Sequence, residues 1–114
     1  MTGLDQVREF ALGLPGATEE PHFDMTSFRV RGKIFVTAPP DEEHLHVFVD
    51  RSEVDAIVAE LPAAFEQLKW GRRVAGVRVS LAEAPADRVL ELVEEAWTRK
   101  APQALIAELS ERQG

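Results

Sequence analysis

The sequence predicts an α+β domain: two layers, an antiparallel sheet of about five strands, and helices packed on one face. Two observations carry that expectation. Several short runs alternate apolar and polar residues and are joined by brief turns, which argues antiparallel pairing. Between and around them lie stretches whose apolar residues recur at helical spacing. The resulting order is α-β-β-β-α-β-β-α-α, in a single domain spanning 1–114.

Residues 2–14 read as a helix, with Leu4, Val7, Phe10, Ala11 and Leu14 in one stripe. Thr2 and Asp5 resemble a capping box, and Leu14-Pro15-Gly16 stops the helix. Residues 17–24 read as an acidic loop closed by Pro21. Two strands follow, 26–31 and 33–38, around a tight turn at Arg31-Gly32. In the first, Phe28 and Val30 face one way and Ser27, Arg29 and Arg31 the other. In the second, Ile34 and Val36 alternate with Lys33, Phe35 and Thr37. After a solvated turn at 39–43, residues 44–49 form a third strand, with Leu45, Val47 and Val49 opposite His44, His46 and Phe48. Ser52 then caps a helix over 52–61, with Val54, Ile57, Val58 and Leu61 inward. Strands at 65–70 and 74–81 surround a basic turn, Gly71-Arg72-Arg73. A third helix starts at Pro85 and directs Val89, Leu92, Val93, Ala96 and Trp97 inward. Ala101-Pro102 breaks it, and a short helix over 102–111 ends the chain.

Composition narrows function. Apolar residues make up 45% and charged residues 29%, as in ordinary globular material. The absence of cysteine excludes disulfides, thiolate zinc sites and cysteine nucleophiles. No run approaches a membrane span, and the N-terminus lacks a basic region followed by an apolar one, so a cytoplasmic protein without a membrane partner is expected.

The net charge is −7, but it is segregated. Residues 25–39 hold Arg29, Arg31 and Lys33 and no acid; residues 69–80 hold Lys69, Arg72, Arg73 and Arg78 and no acid. Those seven side chains are the candidate anion or nucleic-acid surface, with Trp70 or Phe48 available to stack on a base. The same pattern also suits a solvated strand face whose Lys and Arg guard an edge against pairing. His44 and His46 project from one strand face, and His22 with Asp24 lies in a loop, a weak ligand set for zinc or iron. The acidic runs at 19–20 and 41–43 lack the alternation and glycine of a calcium loop. Ser27, Ser52 and Ser80 have no nucleophile context, and no glycine-rich phosphate loop follows a strand.

The run Gly13-Leu14-Pro15-Gly16-Ala17-Thr18-Glu19, then PHF and SFRVRGKIFVT, resembles the MmcQ/YjbR family. KWG before VRVSL and the helix ending EEAWTRKAP fit the same pattern, so the resemblance covers nearly the whole chain. It implies a YjbR-like fold, comparable with secretion-chaperone and frataxin-like folds, and the family's label of DNA-binding protein. It implies no catalytic residues. The sequence departs from the family where many members have an Asn-Leu-Lys-Cys run; here Val47-Phe48-Val49-Asp50 stands instead, without the lysine. Ala75-Gly76-Val77 stands where many have a tryptophan before the valine.

A non-enzymatic binding domain without a cofactor is the resulting expectation, monomeric or homodimeric. Its nominal ligand is DNA, on the basic sheet face. The alternative is an acidic interaction or chaperone-like module that takes a peptide or partner protein along a sheet edge or apolar groove.

Overall fold

In a computed structural model that describes residues 2–114, the chain forms one six-stranded antiparallel sheet with four helices on a single face. The helices are α1 (Leu4–Gly13), α2 (Arg51–Glu60), α3 (Ala86–Lys100) and α4 (Gln103–Gln113). The strands are β1 (Ala17–His22), β2 (Met25–Val30), β3 (Lys33–Ala38), β4 (His44–Val47), β5 (Phe65–Trp70) and β6 (Arg73–Ser80), in spatial order β1-β2-β3-β4-β6-β5.

The α+β class holds, with one strand more than expected. Residues 17–22 are an edge strand and not a loop; they pair along their length with β2. Their composition hides this, because Thr18, Glu19, Glu20 and Pro21 lack an apolar face. An edge strand tolerates that, since one side of its backbone needs no partner.

Cross-strand register separates the two faces of the sheet. Phe28 lies opposite Val36, Val36 opposite Val47, and Val47 opposite Val77. This row and its neighbours Leu45, Val79 and Phe65 pack beneath the helices in one core. Trp97 of α3 is fully buried there, and its indole N–H donates to the Pro15 carbonyl at 3.1 Å. That bond fastens α3 to the turn between α1 and β1. On the opposite face a polar row crosses all six strands: Glu20, Ser27, Thr37, His46, Arg78 and Glu66.

Two bulges break the alternation. Arg29 pairs with Ile34, so Phe35 is skipped; Lys69 pairs with Val74, so Ala75 is skipped. The first overturns the expected strand pattern. Phe35 is buried in the core beside Val36, whereas Ile34 falls on the open face with Thr37. The ends of elements also differ from expectation. Thr2 caps nothing; its hydroxyl donates to the Ala84 carbonyl, and Gly3 precedes α1 without a side-chain cap. Asp50, not Ser52, caps α2, accepting from the Ser52 N–H and hydroxyl at 2.9 and 2.7 Å. Pro85 stands at the N-cap of α3 and not at its first helical position.

Arg31 (φ 52) and Gly32 (φ 79) both adopt left-handed geometry, which a two-residue hairpin turn between right-twisted strands requires. Gly76 is needed for a different reason. An added Cβ would overlap the Val47 carbonyl oxygen and sit 3.1 Å from Phe48 Cα. Gly76→Ala is therefore expected to destabilise the fold by on the order of 3 kcal/mol, lowering the thermal midpoint by roughly 10 °C. Gly13→Ala, where an added Cβ meets nothing within 4 Å, should be neutral or slightly stabilising. Equal midpoints for the two variants would contradict the close approach at Gly76.

Candidate functional site

β4 has only four residues, and this opens the sheet. It pairs with β3 through Val47 and His46 alone, and with β6 only as far as Val77. Beyond Val47, residues 33–35 of β3 and 73–76 of β6 have no β4 residue between them. Residues 48–50 cross this gap and turn into α2, and the Phe48 N–H donates to the Phe35 carbonyl at 3.1 Å, at the bulge. Both bulges flank the gap, so both strands bend around it.

The result is a cleft of about 390 Å³. Its polar floor is Thr37 and His46, and its apolar wall is Met25, Ile34, Phe48, Val74 and Ala75. His22 stands at one margin and Trp70 at another. Trp70 is 61% exposed, with its ring centroid 5.3 Å from that of Phe48. Four cations also line the cleft: Arg51 opens α2, Arg73 opens β6, and Arg99 and Lys100 end α3. Among the described residues no carboxylate lines it.

The cations differ in how far they are already engaged. One Arg99 nitrogen donates to the carbonyls of Phe48 and Val49 at 3.0 and 3.3 Å, and its Nε lies 3.7 Å from Asp50. Arg99 thus braces the crossing segment. Arg51, Arg73 and Lys100 have no carboxylate within salt-bridge distance among the described residues. Partial burial, then Arg99 and Lys33, push the Lys100 ammonium below its ordinary range. Like charges held together in this way favour a bound anion.

Of the seven basic residues singled out in the sequence, Arg73 alone lines the cleft. Lys33 lies near Lys100. Arg29 is tied down, donating to Ser27 Oγ at 2.9 Å and the Pro21 carbonyl at 3.2 Å. Arg78 Nε is 3.3 Å from Glu66 but out of line for a hydrogen bond, which leaves that buried nitrogen unpartnered. Arg31, Lys69 and Arg72 are exposed around the hairpin turns, outside the cleft. Of the three histidines, His22 and His46 line the cleft, whereas His44 lies elsewhere, beside Asp41. Among the described residues one group could hold a cation, Asp41, Glu43 and His44, and Asp41 already binds the His44 ring at 2.8 Å.

Comparison with known proteins bears on this architecture. The YjbR family model matches residues 12–99. The chain belongs to the YjbR family. Among solved structures it is similar to the crystal structure of Deinococcus radiodurans protein DR2400, with family-model domain DUF419. The TM-score is 0.73 at 20% identity, over 85% of this chain and 77% of that one, a likeness of fold. No curated protein matches. No helix among the described residues is long and apolar enough to cross a membrane.

Sequence reasoning on this YjbR-family chain missed Arg51, Arg99 and Lys100. Each lies at a helix end that reads as ordinary solvated surface. The available signal was the pair Arg99-Lys100 closing a helix otherwise rich in acid.

His46 is the titratable group at the cleft floor. Its Nδ1 lies 3.4 Å from the Thr37 hydroxyl, and its Nε2 is buried without a partner. Burial, then Arg78 and His44, lower its pKa from the ordinary 6.5, against smaller opposing effects of Asp41 and Glu66. The unfolded chain therefore takes up this proton first as pH falls. Stability present above 6.5 is lost as the pH drops through the lowered folded value. Denaturation at pH 7.5 and 5.5 should show a smaller pH-dependent loss for His46→Gln than for the native chain. An unchanged loss would assign the effect to other groups.

Proposed function

We propose that this YjbR-family chain is a non-enzymatic binding domain for single-stranded DNA, which it engages at the cleft and not across the whole sheet face. The observation that supports this most is the charge of the lining: four cations and two histidines with no carboxylate, in a protein of net charge −7. A low-dielectric concavity of one sign focuses potential there while the remaining surface repels phosphate. The exposed Trp70 ring offers the stacking platform that single strands use, since each unpaired base presents a π face. Duplex DNA suits the site poorly. Its bases are read by protein elements that enter a groove, whereas this site is itself a small concavity.

The test is fluorescence anisotropy with a labelled oligothymidylate in low and moderate salt. Three unpaired cations predict a log–log salt slope of about −2 for a single strand. Charge reversal in the double variant R73E/K100E should abolish binding, and Trp70→Ala should weaken it about five- to hundredfold. The double variant R31E/R72E, outside the cleft, should cost much less. Equal losses from both double variants would favour the broad sheet face, and no binding in low salt would end the DNA reading.

A further inference from the structure

The ligand class of this cleft can be narrowed, on the reading that it takes a nucleic-acid component. We propose that it receives a terminal phosphate monoester attached to a nucleoside, in which the phosphate meets Arg51, Arg73 and Lys100 and the base lies against Trp70.

The distribution of free charge argues for an end and not for a continuous strand. A strand that crosses the sheet needs cations spaced along its path. The open face does not supply them. Its polar row begins and ends in carboxylates, Glu20 on β1 and Glu66 on β5. Of the cations between, Arg29 already serves Ser27 and Pro21, and Arg78 sits against Glu66. Arg31, Lys69 and Arg72 stand exposed at the hairpin turns, away from that row, whereas three other cations without a carboxylate partner line one cleft from three separate elements: the start of α2, the start of β6 and the end of α3.

The valence matches a monoester. A phosphodiester carries one negative charge, whereas a terminal phosphate carries about −1.5 to −2 at neutral pH and presents three acceptor oxygens. Three unpaired cations lining one cleft exceed what a single diester neutralises. Size agrees as well. The volume of about 390 Å³ lies toward the lower end of the range for sites that enclose small ligands. Guanidinium groups further suit the monoester, because they engage two oxygens of one phosphate at once.

The experiment uses the full chain and follows intrinsic fluorescence, since Trp70 is exposed at the cleft and the other tryptophan, Trp97, is buried. Four probes are titrated at one ionic strength: thymidine, thymidine 5′-monophosphate, and one short oligothymidylate with a 5′-phosphate or a 5′-hydroxyl. Each phosphorylated probe is expected to bind at least tenfold more tightly than its unphosphorylated partner. R73Q and K100Q should each remove most of that advantage while the thermal midpoint stays unchanged. If both oligonucleotides bind alike and the monophosphate gains nothing over thymidine, the terminal-phosphate proposal is overturned and the DNA reading stands. If the monophosphate binds and neither oligonucleotide does, the proposal stands and the DNA reading falls. If none of the four binds, both fall.

Discussion

The approach of the Val47 carbonyl to Gly76 is the contact on which the rest of the site depends. A side chain at position 76 would hold β4 and β6 apart where β4 leaves the sheet. Its absence lets the chain press against β6 at Val47 and then lift away, with Phe48 hydrogen-bonded to the bulged Phe35. Three features meet at this close approach. β4 ends after four residues, the sheet keeps a gap between β3 and β6, and the turn into α2 brings Arg51 to that gap. The opposite wall has its own anchor. Trp97 is buried and bonded to Pro15, which anchors the last turn of α3, so the backbone of Arg99 and Lys100, two and three residues on, has little freedom of position.

The division between layers explains why a polar cleft is tolerated without loss of the fold. One continuous core lies between the sheet and the helices, and it contains Trp97, Phe28, Phe35 and Phe65. Burial of side chains of that size stabilises by about 1.5–3 kcal/mol each. The open face adds less: Phe48, buried against Trp70, lies outside that core. Its buried hydroxyls are satisfied locally: Ser27 donates to the Glu20 carbonyl, and Thr37 lies beside His46. Arg29 then covers Ser27. Unpartnered groups are left at His46 Nε2 and Arg78 Nε, neighbours in the same row. A native fold pays for very few such groups, and here both belong to the face that is free of helices.

Much of the fold was legible because apolar periodicity and turn chemistry agree with it. The Arg31-Gly32 hairpin, the α3 stripe and the helix-free sheet face all follow from residue spacing. What could not be read has physical causes. β1 is held by backbone pairing with β2, which leaves no side-chain pattern in Ala17–His22. The exchange of Ile34 for Phe35 results from a bulge, and one extra residue inverts the alternation on one side of it while Val36 and Thr37 keep their expected faces. The site was half legible for the same reason. Basic strips on strands stand out because their neighbours are apolar, which is how Arg73 was found. Arg51, Arg99 and Lys100 are set among Glu and Asp along the chain, and only tertiary packing brings them together at one cleft.

That separation also bears on selectivity. Outside the two basic segments the chain carries a charge of −14, and much of it lies on the helices and on the edge strand β1. On the proposed reading, a phosphate approaching from a random direction meets repulsion over the acidic helices and β1, and attraction at the cleft and the basic hairpin turns. Repulsion weakens non-specific adhesion of long polyanions, which is chiefly electrostatic. It costs less for a short ligand that places a single phosphate among the cations, because screening confines each surface charge to about 8–10 Å. On that reading, an acidic exterior around a basic concavity would discriminate by ligand length as well as by charge. A uniformly basic sheet face would attract any polyanion. The acid-bounded row from Glu20 to Glu66 makes this surface a poor track for a long strand, while the cations it excludes gather where the sheet opens.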